Sequence, residues 1–222
     1  MKRAVLVLAL FQLFLPSPAA ADPGAVITQL LKGPLPAELE FCGERVPLDR
    51  EDVVERLEIE LIVALANPVS TSLWFKRGAR YFPMIDRKIR QKDLPADLRY
   101  VPVVESNLRA DAVSSARAVG PWQFIRATGR RYGLDRTSYK DERRNWEQAT
   151  EAGLDHLGDL HRDLGSWPLA LAGYNAGKMR VSGNMQTQNE KDFYGLRLPR
   201  ETERYVMRIM AVKLIMENPA DY

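Results

Sequence analysis

In 222 residues the chain has one cysteine, Cys42, and two histidines, His156 and His161. A lone thiol cannot form an intrachain disulfide, so the fold must stand on its apolar core. The histidines lie five apart, whereas two metal ligands on one helix face need a spacing of four, so no metal site is expected from them and both are read as surface residues without chemistry. Alternation of apolar and polar residues is also missing, which excludes a domain built from sheets. Beyond residue 21 there is no apolar run long enough to cross a bilayer, and no repeat or low-complexity tract. Cys42 is preceded by Leu39-Glu40-Phe41, which puts a charge where a lipoprotein signal needs small apolar residues, so a buried structural thiol is expected.

What the chain does have begins at its start. Lys2 and Arg3 precede an apolar run from Ala4 to Leu15, closed by Pro16 and followed by Ala19-Ala20-Ala21. This is the pattern of a cleaved secretory signal over residues 1–21, and it predicts a periplasmic protein with no stable membrane anchor after cleavage. The charge balance changes accordingly. Two of the 32 basic residues leave with the signal, so 30 basic residues face 29 acidic ones, and nucleic-acid binding is not expected. The charge is uneven, with 17 Lys/Arg against 8 Asp/Glu over residues 74–146. That basic middle suits either an anionic polymer or ordinary solvated helix faces.

The rest divides by pattern. Residues 22–47 are rich in proline and glycine and read as an irregular leader. Residues 48–92 form an N-terminal helical extension, in which Asp49 is expected to cap a helix carrying Val53, Leu57 and Leu61, and a second helix is interrupted at Pro83. Residues 93–218 give a larger helical domain. In it Trp122 to Tyr132 is expected as a helix, 146–164 as a long one, Ser166 as the cap of a compact one, 178–198 as loop, and Glu201 to Met216 as the last helix. The fold class is all-α.

One acid stands out. Glu105 lies seven after Leu98, four after Val101 and three before Leu108, so at about 100° per residue it continues a buried apolar stripe. A carboxyl there loses hydration, which favours its protonated form and suits a general acid. A helix end opened by Pro102, with Glu105 in water, is the competing reading.

The surrounding motifs favour the first. Leu94-Pro95 through Pro102-Val103-Val104-Glu105-Ser106, then Gly120-Pro121-Trp122-Gln123, Asp141-Glu142-Arg143, Gly173-Tyr174-Asn175-Ala176-Gly177 and Glu201-Thr202-Glu203-Arg204-Tyr205 occur in order, after a Phe41 to Glu44 leader. Together they resemble the soluble lytic transglycosylase domain of the lysozyme-like superfamily, in its membrane-bound lytic transglycosylase D type. The resemblance implies a lysozyme-like helical domain acting on peptidoglycan glycan strands, as a monomer without cofactor. Recruitment by cell-wall or secretion machinery is left open. Residue by residue, it implies Glu105 as the single catalytic acid/base, with Ser114, Gln123, Ile125, Tyr174, Asn175, Glu201 and Tyr205 at the substrate. Tyr174 is to point its hydroxyl near the catalytic carboxyl, and Tyr205 and Glu201 are to close the groove floor. Ser106, Gly120 and Gly173 are structural neighbours, and Gly173, standing where alanine is usual, is expected to loosen its helix.

The same comparison bears on the reaction. Goose-type lysozymes carry acids at the positions of Ser114 and Ile125, so a transglycosylase that cleaves the MurNAc-β-1,4-GlcNAc bond and forms a 1,6-anhydro ring is favoured over a muramidase. Asp111 is the one candidate for a second acid. An inactive peptidoglycan-binding protein is the reading from another class.

Overall fold

The structure is a computed structural model that describes residues 35–222. The expected secretory signal and most of the expected leader lie outside the described residues. Within them the chain forms eight α-helices, two short 3-10 helices and one two-stranded hairpin, as an all-α class requires.

The described part of the leader is more ordered than its composition suggests. Strands β1 (Leu39–Phe41) and β2 (Glu44–Val46) pair antiparallel around Cys42 and Gly43, both in the left-handed region. Strands of three residues are too short to reveal alternation, hence the expectation of irregular chain. The hairpin is pinned at both flanks. The Cys42 amide donates to Asp97 at 2.7 Å, and the Trp167 amide donates to Glu44 at 2.7 Å. Cys42 is buried, and burial pushes its thiol pKa up, which leaves it inert.

Helix α1 (Glu51–Leu65) starts after Arg50, and Asp49 does not cap it. The Asp49 carboxylate instead pairs with Arg45 at 2.9 Å. Glu51 and Asp52 still place negative charge at the positive end of the helix. Its buried face holds Val53, Leu57 and Leu61, and also Glu60, which is only 1% exposed. Helix α2 (Pro68–Gln91) is capped by Asn67, which accepts from the Ser70 amide at 3.1 Å, and it runs through Pro83 without a break.

Part of the basic middle of the sequence is paired here. Lys88 pairs with Glu147 and Glu151 at 3.2 and 2.9 Å, and Lys92 pairs with Glu151 and Asp155, both at 2.5 Å. These acids sit on helix α5 (Trp146–Leu164), so the charges bind α2 to α5. Tyr81 stacks on Trp146 beside them, at 3.8 Å between ring centroids.

The segment of Glu105 is not one helix. Ala96–Tyr100 is a 3-10 turn, and only Val101–Ser106 (α3) is α-helical. Asn107 and Leu108 then take φ of 51° and 57°, reversing the chain. Asn107 is held in that costly conformation from α2: Trp74 Nε1 donates to its side chain and Arg77 to its carbonyl, each at 2.7 Å. The expected helix from Trp122 shrinks to α4 (Arg126–Arg131), because residues 112–125 fold into a loop with Val119 bridged to Val113 and Phe124.

Helix α6 (Trp167–Ala176) is capped by Ser166 as expected. Residues 178–188, expected as loop, form helix α7 (Lys178–Gln188). It buries only Val181, so its sequence carries no apolar stripe to announce it. Helix α8 (Arg200–Glu217) is mostly buried and crosses α1. Glu60 receives Arg204 Nε at 2.5 Å and Arg208 Nε at 2.9 Å, which satisfies a carboxylate otherwise cut off from water.

Two glycines test the packing. At Gly120 (φ +87°) an added Cβ would lie 1.7 Å from the Arg143 carbonyl oxygen, whereas at Gly158 in α5 it would meet nothing within 4 Å. Gly120→Ala should therefore cost about 3 kcal/mol or more, through strain and overpacking. Gly158→Ala should gain up to ~1 kcal/mol, through reduced helix entropy cost. Urea unfolding of both variants checks this, and a Gly120→Ala protein as stable as the parent would contradict the close approach.

Candidate active site

The site is assembled from the loop upward. Trp122 is fully buried, its indole nitrogen bonded to Thr150 at 3.1 Å, and its ring lies where a Cβ on Gly153 would come within 2.4 Å. That contact seats the 120–125 loop on α5. Arg143, 4% exposed, braces the loop from below: it is paired with Asp141 at 2.6 Å and donates to the Phe124 carbonyl at 3.0 Å. The Asp141-Glu142-Arg143 run is therefore the support of the Gln123 loop, a role its sequence did not disclose. Ser106 ties α3 to the same loop, its hydroxyl lying 2.9 Å from the Pro121 carbonyl.

Above this base opens a cleft of about 1320 Å³, lined by Glu105, Ser114, Gln123, Ile125, Tyr174 and Asn175 among others. Six expected site residues thus meet on one surface. Gln123, at φ 47°, gives its side-chain NH2 to the carbonyls of Gly120 and Ala112 at 2.8 and 3.3 Å, so only its amide oxygen is left for a ligand. Asn175 is fixed the opposite way, accepting from the Thr202 hydroxyl at 2.9 Å, which leaves its NH2 to donate. Ser114 Oγ accepts from the Ala118 amide at 3.1 Å and holds its own loop, and Ile125 is a half-open apolar side chain at the start of α4.

Glu105 is reached by one hydroxyl. Tyr205, on α8 and 3% exposed, donates to its Oε1 at 2.6 Å. Tyr174, the tyrosine expected to point toward Glu105, donates instead to the Trp122 carbonyl at 2.7 Å while still lying within the field of the Glu105 charge. Both hydroxyls have pKa values pushed well above 10, first by burial and then by Glu105, so they act as neutral donors. Desolvation raises the Glu105 pKa to about 7, with the Tyr205 bond and the Arg208 charge opposing it. The burial effect wins, and near neutrality the group is both a competent acid and a competent base.

Other acids are engaged elsewhere. Asp159 and Asp163 line the far wall but pair with Arg162 at 2.9 Å and Lys178 at 2.7 Å. Asp111 is largely exposed and paired with Arg109 at 3.1 Å, which holds its carboxyl below the usual range. Glu201 also lies on the surface, 3.6 Å from Arg208, and takes no part in the cleft wall. Gly173 does not loosen its helix. An added Cβ would sit 2.8 Å from Leu164 and 3.2 Å from Leu160, so those leucines already fill the space of a methyl. Among the described residues His, Cys, Asp and Glu form no cluster sized for a metal, and no helix is long and apolar enough to cross a membrane.

His156 is not the surface residue that the sequence suggests. It lines the cleft, partly buried between Tyr132 and Tyr174, and burial lowers its pKa to about 4. A signal existed, since His156 falls four after Ala152 and four before Leu160 on the buried face of α5. Helix α7 adds Lys178, Met179 and Arg180 to the cleft lining, none of them among the expected site residues.

Residues 83–196 match the family model described as the transglycosylase SLT domain. The chain is 36% identical over 151 residues to the membrane-bound lytic murein transglycosylase D of Escherichia coli (strain K12), covering 66% of this chain and 33% of that protein. The same figures hold for the protein of that name from Escherichia coli O6:H1. The chain therefore spans about a third of the length of the curated relatives it matches. Among solved structures it is similar to an inactive mutant of the lytic transglycosylase Slt from Pseudomonas aeruginosa, with TM-score 0.48 and 21% identity over 63% of this chain and 24% of that one.

The raised Glu105 pKa has a measurable cost. The native state holds this proton more tightly than the unfolded chain, so stability falls as pH rises from the ordinary glutamate range through about 7. Glu105→Gln should gain about 3 kcal/mol relative to the parent between pH 4 and pH 8. Tyr205→Phe, which removes a bond to the ionised form, should move the Glu105 midpoint upward in a carboxyl NMR titration. A midpoint that stays put would mean that the Tyr205 bond does not tune the acid.

Proposed function

The chain belongs to the transglycosylase SLT domain family, and from that premise we propose that it is a peptidoglycan lytic transglycosylase with Glu105 as its one acid/base. The observation that carries the reading is a single unpaired carboxyl in the cleft, its pKa near 7, with the other lining acids held in ion pairs. Glycosidases that use water or a protein nucleophile place a second carboxylate across the scissile bond. A reaction that needs neither fits this cleft better.

The steps follow from the groups present. Protonated Glu105 gives its proton to the β-1,4 bridging oxygen between N-acetylmuramic acid and N-acetylglucosamine, and that bond breaks. The substrate's own 2-acetamido oxygen stabilises the positive charge at the muramyl anomeric carbon. Ionised Glu105, stabilised by the Tyr205 hydroxyl, then takes the proton of the muramyl C6 hydroxyl as its oxygen attacks that carbon. A 1,6-anhydro ring closes and the acid is regenerated. One group serves both halves, which is why a pKa near the working pH matters. Gln123 would accept from, and Asn175 donate to, the sugar held in the cleft.

The reading extends to placement. The secretory signal directs the chain to the periplasm, where this substrate lies. The catalytic unit runs from residue 93 to residue 218, with 48–92 as an extension that packs α1 against α8.

Purified sacculi and product mass analysis test the proposal. The protein should release muropeptides with 1,6-anhydro ends, at a rate that declines above about pH 7 as Glu105 ionises. Glu105→Gln should lower that rate by about 10²-fold or more. Reducing ends would show a hydrolase, and undiminished release by the variant would sink the assignment of Glu105.

A further inference from the structure

The far wall of the cleft holds a hydrogen-bonded chain that the proposed chemistry does not use. Tyr132 donates its hydroxyl proton to Asp159 Oδ2 at 3.0 Å, and His156 Nδ1 lies 3.0 Å from the same hydroxyl oxygen. Burial pulls Asp159 upward, but hydrogen bonds from Arg162 and Tyr132 outweigh it and keep the carboxyl ionised, so it can only accept. The single Tyr132 proton is thereby committed, and its oxygen can only accept from His156. This fixes the neutral imidazole as the tautomer with its proton on Nδ1. Nε2 is then a bare acceptor. No group among the described residues bonds to it, and it is not one of the enclosed polar atoms without a partner.

The surroundings give the ligand its shape. His156 lies 5.1 Å from Tyr174 and 4.9 Å from Tyr132 between ring centroids, and Phe124 closes the group at 6.2 Å from Tyr174. All four rings line the cleft. Aromatic rings beside one hydrogen-bond acceptor suit a neutral ring with an apolar C–H face and an N–H on a substituent. Asp159 and Asp163 are matched by Arg162 and Lys178, so this wall presents no free carboxylate.

We propose that His156, with its tautomer locked by Tyr132 and Asp159, forms an acetamido-sugar subsite: Nε2 accepts the amide N–H of a 2-acetamido hexose whose ring packs on the aromatic wall. This rests on the reading of the cleft as a glycan site and names the group that selects the sugar. It is a binding role, separate from the proton transfers at Glu105. Neutrality is essential to it, since an imidazolium would present a donor where the ligand also donates. The low pKa of His156, set first by burial and opposed by Asp159, keeps the ring neutral over the working range. Arg131, also on this wall, acts in the same direction.

The test uses the Glu105→Gln protein, which binds without turnover, and a peptide-free probe, chitotetraose, titrated calorimetrically. Adding His156→Phe, which keeps the ring packing and removes the acceptor, should weaken binding about fivefold to tenfold. Nitrogen-15 NMR of the parent should show His156 protonated on Nδ1 alone down to about pH 5, and Tyr132→Phe should release that lock and weaken chitotetraose binding. Unchanged affinity in His156→Phe, a proton on Nε2, or binding of a stem tetrapeptide but not of chitotetraose would overturn the subsite. If sacculi are not digested yet His156→Phe still weakens sugar binding, the transglycosylase reading fails while the subsite stands.

Discussion

One hydrogen bond joins the two halves of the site: the Tyr205 hydroxyl on the Glu105 carboxyl at 2.6 Å. Each partner sits on a different element, and neither element would place it alone. α3 is six residues long and ends in two left-handed residues, so its end depends on Trp74 and Arg77 of α2 holding Asn107. α8 is set against α1 by Glu60, which takes both Arg204 and Arg208, and against the 3-10 turn Ala96–Tyr100 by Lys213, 2.7 Å from Asp97. Breaking a buried pair of this kind leaves an uncompensated charge, so these contacts enforce geometry even where they add little net stability. The extension before residue 93 is thus part of how the acid is held.

The electrostatics follow the same division. On the face where α2 meets α5, opposite charges neutralise each other in a ladder. Inside the cleft one carboxyl is left without an ionic partner, and burial raises its pKa to about 7 against the pull of Tyr205 and Arg208. A full salt bridge at Glu105 would have dropped it back into the ordinary carboxylate range and removed its use as an acid. The arginine nearest in effect, Arg208, is instead bound to Glu60, which limits its influence on Glu105.

Much of this was legible in the residues and some was not. Glu105 showed itself by position, although the stripe that carried it is a 3-10 turn followed by one short helix, and the phase argument was approximate. α5 and α6 were legible to the residue because Asn145, Ser166, Gly165 and Gly177 mark their ends with cap chemistry. α7 was invisible because a helix that buries one side chain writes no period. The Gln123 loop was misread as helix because its conformation is imposed by Trp122 on Gly153 and by Arg143, contacts from distant parts of the chain. His156 lacks the spacing of a metal ligand, but its place four residues from both Ala152 and Leu160 marks a buried wall.

Helix α7 carries a consequence for how this cleft can change. Its residues Lys178, Met179 and Arg180 form part of the wall, while Val181 alone anchors it in the core. Surface substitutions of this kind shift stability by only about half a kcal/mol. The base of the cleft, with Gly120 against the Arg143 carbonyl and Gly153 against Trp122, admits almost no change. Variation between descendants of such a chain should therefore collect on one bank of the groove, so that substrate range drifts while the proton-transfer apparatus stays as it is.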